Sequence, residues 1–351
     1  SELYNNLIVI PVTINQFLSV KFIVDTGAEA TILTEKAYGD MVGLNYVRSL
    51  NITGPGIIDS VEAYVATNVA LALPGGVRGR KMSILVLKED YLKLQENLGE
   101  EIFGIIGYDL FSRFTVEVNY DSKKITFHNP RTFQPRKRKF VDLKLKGTKP
   151  LIEAEISINQ VPTDVNLMVD TGASHPLLLD FFQNDDISPP NTMIATFLGQ
   201  GIGGEIPGFL GRVDLFTMKN YQFGKVLVSI PEEGSYSTAL KSGSRHGTIG
   251  GEMLRRFHPI FDYSNKKLYL KKSAFHKEPF EFDMSGLTLS TQSDTIIVKA
   301  IEEDTPAHEA GIRKGDKVLY VNGENLNTSN LSEINGILRK KPGGRVRAVL
   351  W

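Results

Sequence analysis

Short apolar runs with strand-like patterning dominate the chain. Leu7-Ile8-Val9-Ile10-Pro11-Val12-Thr13-Ile14 and Lys21-Phe22-Ile23-Val24 are rich in β-branched and aromatic residues and end in turn residues, which predicts strands. Ile152-Glu153-Ala154-Glu155-Ile156-Ser157-Ile158 alternates apolar and polar positions, as a half-buried strand does. Before residue 275, helical patterning is confined to Thr34 to Met41, Asp90 to Asn97, and the turns at 108–113 and 251–256. No window holds eighteen consecutive apolar residues, so no transmembrane helix is predicted.

The pattern repeats. Val12-Thr13-Ile14-Asn15-Gln16 resembles Ile156-Ser157-Ile158-Asn159-Gln160 at an offset of 144, and Val24-Asp25-Thr26-Gly27-Ala28 recurs as Val169-Asp170-Thr171-Gly172-Ala173 at an offset of 145. Residues 104–127 align without a gap to 247–270, and eight of the twenty-four pairs are identical. Ordinary composition would give about one or two. A duplication is therefore expected, its offsets drifting only by the size of a turn insertion. The seam falls near Pro130 to Lys139, where two prolines and four consecutive basic residues suit an exposed linker. A third region starts near Phe275 and does not continue the repeat.

Composition narrows the chemistry. At 351 residues the chain is long enough for two or three domains. The 40 Lys and Arg balance the 40 Asp and Glu, which gives no basic surplus for a nucleic-acid partner. There is no cysteine, so disulfides, thiolate catalysis, iron–sulfur clusters and cysteine zinc sites are excluded. The six histidines show no His-x-x-x-His zinc spacing. Neither a Gly-x-Ser-x-Gly elbow nor a phosphate-binding Gly-x-x-x-x-Gly-Lys loop is present. Asn51, Asn327 and Asn330 head Asn-x-Ser/Thr triplets, which matter only on a eukaryotic secretory route. The chain opens Ser1-Glu2-Leu3-Tyr4, without a basic or apolar leader, and reads as mature or trimmed. Its other end, Arg345 to Trp351, reads as a strand cut off without a partner.

The informative motif is Asp-Thr-Gly-Ala, once in each half. Each copy follows an apolar strand end, Phe22-Ile23-Val24 or Leu167-Met168-Val169, and precedes another apolar run, Thr31-Ile32-Leu33 or Leu177-Leu178-Leu179. One such turn is ordinary. Two in register within a duplicated frame meet if the halves pack about a two-fold axis. Carboxylates about 3 Å apart share one proton, as in the aspartic-protease dyad from which this logic is taken.

On these residues the chain resembles the retropepsin/pepsin-like aspartic proteases over roughly residues 3–273. The resemblance extends to Ile105-Ile106-Gly107 and Thr248-Ile249-Gly250, which in that family pass beneath the catalytic turns before a short helix. It implies that Asp25 and Asp170 are the catalytic pair. Thr26 and Thr171 would brace the turns, Gly27 and Gly172 would line the cleft floor, and Ala28 and Ala173 would complete the supporting turns. No metal or organic cofactor is implied. Both halves lie on one chain, so a monomer suffices for the site. Alanine at the fourth position, as in retropepsins, removes a hydroxyl that pepsin-like enzymes commonly carry. Its absence predicts a less acid working range. His175, just after the second motif, is placed either at the cleft edge or in a surface or packing role, the latter preferred.

The family also requires flaps over the substrate. Gly201, Ile202 and Gly203, within Leu198 to Gly204, are the candidate in the second half, and Gly54, Pro55 and Gly56 the equivalent in the first. The spacing Gly199-x-Gly201-x-x-Gly204 also fits a dinucleotide fingerprint, but Glu205-Ile206-Pro207-Gly208 follows it and does not suit the helix such a site needs.

Thr305 to Gly311 has a helix cap, a proline at the first helical position and a glycine stop. The stretch Thr305 to Gly323 resembles a PDZ domain of the bacterial protease-associated type, which implies binding of peptide C-termini as an added strand. By that likeness Ser285 to Leu289 is the candidate carboxylate loop, with Gly286, Leu287 and Leu289 binding the peptide. A helix from Ser329 to Lys340 would wall the groove with Ile334 and Leu338. The expected architecture is mainly β: a two-lobed, pseudo-two-fold acid-protease β-barrel fold plus an α+β PDZ domain. Its lobes would span 1–135 and 136–274, and the PDZ domain 275–351. The expected activity is aspartic endopeptidase, with polypeptide substrates and peptide C-termini as partners, no nucleic acid, and a periplasmic or cell-surface location. The alternative is a catalytically inactive, peptide-binding scaffold.

Overall fold

The computed structural model describes residues 1–135, 137–236, 245–293, 295–326, 331–339 and 343–351. The expected helix ends at Ser329 and Lys340, Asn327 and Asn330 of the triplets, and Arg136 of the basic run lie outside the described residues.

The first half builds β1 (Glu2–Tyr4), β2 (Leu7–Ile14), β3 (Leu18–Val24), β4 (Ile32–Leu33), α1 (Lys36–Met41), β5 (Asn45–Ile52), β6 (Val61–Ala72), β7 (Arg78–Leu87), α2 (Leu94–Leu98), β8 (Ile102–Ile106) and α3 (Tyr108–Phe111). Its sheet runs β1-β2-β3-β8-β4-β7-β6-β5. After β9 (Thr115–Asn119), β10 (Lys124–His128) and β11 (Lys139–Asp142), the second half builds β12 (Lys144–Lys146), β13 (Lys149–Ile158), β14 (Val161–Val169), β15 (Leu177–Leu179), β16 (Ile194–Gly201), β17 (Gly204–Met218), β18 (Tyr221–Pro231) and β19 (Gly247–Ile249). Its order, β12-β13-β14-β19-β15-β18-β17-β16, repeats the first position for position. Local detail repeats too. The Asn15-Gln16 and Asn159-Gln160 turns both have positive φ at both residues, the left-handed geometry of tight hairpins.

The expected barrels are corrected by this topology. Each large sheet ends in edge strands, β1 and β5 in the first half and β12 and β16 in the second. Curling brings β2 to β6 only at Thr13–Ala72 and Ile14–Leu71. The sheets mix directions, with β4–β7, β14–β19 and β15–β18 parallel, and short helices punctuate them. The result is a mixed α/β fold. Apolar alternation predicts strands, whereas closure depends on stagger and register, which that alternation does not encode.

A five-stranded sheet joins the halves: β10-β9-β20-β21-β11, with α4 (Gly251–Leu254) preceding β20 (Ile260–Asp262) and β21 (Lys267–Leu270). At its centre β9 pairs with β20, Val116 opposite Phe261. Phe111 packs edge-on to Phe261 at 5.4 Å and stacks on Tyr263 at 5.5 Å. The basic seam is partly built into this sheet. Lys139 starts β11, and Arg138 donates to the Glu117 carboxylate at 2.8 Å.

The chain divides into two compact units, residues 1–92 with 103–278, and 93–102 with 279–351. In the second unit, β22 (Leu287–Gln292), β23 (Thr295–Ile301), β24 (Lys317–Val321) and β25 (Glu324–Asn325) form a sheet, with α5 (Pro306–Glu309) and α6 (Leu331–Leu338). The last strand, β26 (Ala348–Leu350), pairs with β24, so the chain end does have a strand partner. Segment 93–102 joins this unit through the Thr291 hydroxyl, which donates to the Gln95 carbonyl at 2.8 Å.

Phe261 is fully buried at the join between the halves. Truncation by Phe261→Ala is expected to lower stability by about 3–5 kcal/mol, read as a reduced urea midpoint.

Candidate active site

Each Asp-Thr-Gly-Ala turn is hung between two strands of its own sheet. Asp25 leaves β3 and its N–H donates to Ile106 O at the end of β8, 2.9 Å away. Asp170 leaves β14 and its N–H donates to Ile249 O at the end of β19, at 2.8 Å. The strand ends Ile105-Ile106 and Thr248-Ile249 thus support the two turns. The chain then closes over each turn, Tyr108 N–H donating to Ala28 O at 3.0 Å and Gly251 N–H to Ala173 O at 2.6 Å.

The two turns are fastened to each other. Thr26 N–H donates to Thr171 Oγ1 at 3.0 Å, and Thr171 N–H donates to Thr26 Oγ1 at 3.0 Å. Each hydroxyl in turn donates across to the other half, Thr26 Oγ1 to Val169 O and Thr171 Oγ1 to Val24 O, both at 2.7 Å. Both threonines are buried, 1% and 0% exposed, so water does not replace a lost partner.

This clasp sets the carboxyl groups side by side. Gly27 N–H donates to Asp25 Oδ1 at 2.6 Å and Gly172 N–H to Asp170 Oδ1 at 2.8 Å, fixing both rotamers. The glycines are demanded by proximity. A Cβ on Gly27 would lie 2.8 Å from Asp170 Oδ2, and one on Gly172 would collide with the Asp25 carboxyl. Burial above all, then the charge of Asp170 and hydrogen bonding to it, hold the Asp25 carboxyl well above the ordinary range, against a smaller pull from Gly27 N–H and Lys149. Burial also pushes the Tyr236 phenol up to about 12 and raises Tyr263, both within the field of the two acids. His175 Nε2 is buried without a hydrogen-bond partner among the described residues, and burial depresses its imidazole to about 4. Its setting is one of packing.

The six candidate flap residues come together. Residues 53–58 and the β16–β17 hairpin meet tip to tip: Gly203 N–H donates to Pro55 O and Ile58 N–H to Gly203 O, both at 2.8 Å. Gly54 abuts Ile202, and Gly201 abuts Pro55. Residues 201–204 turn into a strand, so the dinucleotide spacing has no helix to serve. Each arm is also moored to the opposite half. Gly56 N–H donates to Ser235 O at 2.9 Å, and Gln200 Nε2 donates to Tyr91 O at 2.8 Å. Tyr91, Gln200, Ser235, Tyr236 and Lys149 were not among the sequence candidates. Tyr91 and Tyr236 recur at the duplication's offset of 145, a signal that an isolated pair does not raise above chance.

In the second unit Leu289 and Ile334 lie within the hydrophobic core, 8% and 1% exposed, while Leu287 and Leu338 pack at its partly exposed margin. Gly286 adopts φ +76° against Thr305, a geometry and closeness that suit glycine alone. Among the described residues no three His, Asp or Glu side chains converge as a metal site, and no helix is long and apolar enough to cross a membrane.

Two known families match parts of the chain. Residues 10–110 match the aspartyl protease family and residues 297–351 match the PDZ domain. An aspartyl-protease-like domain and a PDZ domain are therefore present. A 46-residue stretch is 41% identical to Rho GTPase-activating protein 23 of Mus musculus, covering 13% of this chain and 3% of that protein. The same identity and length hold against Rho GTPase-activating protein 21-B of Xenopus laevis, of which 2% is covered. The chain thus spans only a few per cent of the length of these curated relatives.

Thr26→Val and Thr171→Val keep shape but remove the crossed hydroxyls. Each is expected to destabilise by about 2–4 kcal/mol, since buried amide and carbonyl partners are left unpaired. The double variant should cost less than the sum, which a double-mutant cycle in chemical denaturation measures.

Proposed function

We propose that the chain is an aspartic endopeptidase of the retropepsin-like, bacterial type, whose PDZ domain holds the C-termini of substrate or partner polypeptides. The observation that carries this reading is the close approach of Asp25 and Asp170, one from each repeat, each carboxyl lying against the glycine of the other turn across the threonine clasp. In this reading the catalytic halves are 1–135 and 136–274, followed by the PDZ region.

The chemistry follows from one proton shared by two acids. The ionised carboxylate takes a proton from a water held between the pair. The water oxygen then bonds to the scissile carbonyl carbon, and the protonated carboxyl donates to the carbonyl oxygen. The resulting tetrahedral adduct collapses as the C–N bond breaks. A proton passes to the leaving nitrogen, and the products are a carboxylic acid and an amine. No bond forms between substrate and protein. The pair titrates as a unit, because ionising one member raises the other. The flap tips, hydrogen-bonded to each other, suit a lid that parts for substrate and closes to exclude water. The PDZ domain raises the local concentration of a tethered chain.

Cleavage of unfolded casein across about pH 3–8 tests the reading. Activity is expected to peak above about pH 3, because burial raises Asp25 and no fourth-position hydroxyl counters it. Asp25→Asn and Asp170→Asn should each lower the rate at least about 100-fold. Equal background in all three forms would favour the non-catalytic scaffold.

A further inference from the structure

One cation reaches the first catalytic turn from the other half of the protein. Lys149, the first residue of β13, donates from Nζ to the Gly27 carbonyl oxygen and lies 3.5 Å from the Glu29 carboxylate. Its side chain is 28% exposed, so the ammonium is only partly hydrated where it meets the turn. The second turn takes a neutral donor. There Asn6, just before the equivalent strand β2, donates from Nδ2 to Ser174 O at 3.3 Å. Both turns are therefore held by a donor from the opposite half, one charged and one neutral. We propose that Lys149 is a positioning residue of the candidate active site: it pins the carbonyl beside Asp25, and its charge sets the pH range over which the carboxyl pair holds a single proton.

The inference rests on the endopeptidase reading for its catalytic meaning, but its physical content does not. A cation near a carboxyl pair favours the singly ionised state over the neutral one. Asp25 feels that field directly, in opposition to burial and to Asp170. Among the described residues, titratable groups in the field of the pair include Tyr236 and Tyr263, neutral throughout the working range, and His175, whose ring stays neutral above about 4. Glu29 faces Lys149 but is 69% exposed, so solvent screens its charge more than that of the lysine. Lys146 lies opposite Lys149 in the β12–β13 pair. A lysine at this position serves two ends at once, since its stem spans the seam and its head supplies the charge.

The test compares wild type, Lys149→Met, Lys149→Gln and Lys149→Arg in two measurements. The first is the pH profile of kcat/KM on casein. The second is titration of the two carboxyls by carboxyl-carbon NMR, which needs no turnover. Both neutral variants are expected to move the acid limb and the first carboxyl titration upward by about 0.5–1 pH unit. Lys149→Arg should restore the wild-type positions. A neutral variant that folds and titrates like wild type overturns the proposal. So does a shift that Lys149→Arg fails to correct, because the hydrogen bond rather than the charge would then be at work. If neither neutral variant folds, the lysine is purely structural and the proposal falls. Wild-type protein that cleaves nothing, yet shows the lysine-dependent titration shift, would sink the endopeptidase reading and leave this inference standing.

Discussion

The crossed threonine pair is the constraint on which the rest of the site depends. Two hydroxyls, each accepting an amide proton and donating to a carbonyl of the other half, join the halves at one buried point. Everything functional is measured from there. The carboxyls lie one residue before the clasp, and the glycines one residue after it. Those glycines are small because the opposite acid already fills the space. The shared five-stranded sheet and the Phe111–Phe261–Tyr263 packing keep this seam from sliding. A site assembled across a seam is only as well aligned as the seam.

The same arrangement is a standing tension. A buried carboxyl whose folded value lies above its unfolded one favours folding while it is protonated, and that contribution is lost as pH rises through the folded value. Asp25 is such a group, raised by burial and by its neighbour. The clasp, the amide N–H groups of Gly27 and Gly172, and Lys149 offset the repulsion, each through a hydrogen bond to the turns or their acids. Held against that repulsion, Asp25 keeps its proton to a higher pH than an ordinary carboxyl does.

Much of this was legible in the sequence because duplication amplifies weak signals. Asp25 or Asp170 alone marks an ordinary turn; together, at a constant offset, they locate a common axis. The Asn-Gln turns and the apolar-apolar-Gly strand ends were readable for the same reason. The two glycine-rich segments that touch were findable from clustered glycines, although the moorings at Tyr91 and Ser235 were not, since each uses only a backbone carbonyl, which every residue type supplies. Barrel closure was misjudged because strand patterning is silent on stagger. The transfer of 93–102 to the C-terminal unit also escaped notice. It depends on contacts such as Thr291 to Gln95, nearly two hundred positions apart, between residues of unremarkable type. Nothing in the sequence marks out Lys149, because its contact with the Gly27 carbonyl forms only with the opposite half in place.

The central claim is that Asp25 and Asp170 act as one unit. Its most direct test is kcat/KM for Asp25→Asn, Asp170→Asn and the double variant, measured on one unfolded polypeptide at the pH of maximal rate. Groups that share a single task are grossly non-additive. The account predicts that either single change removes essentially all the activity, and that adding the second removes no more. Losses that multiply, or one single variant that keeps most of the wild-type rate, would contradict it.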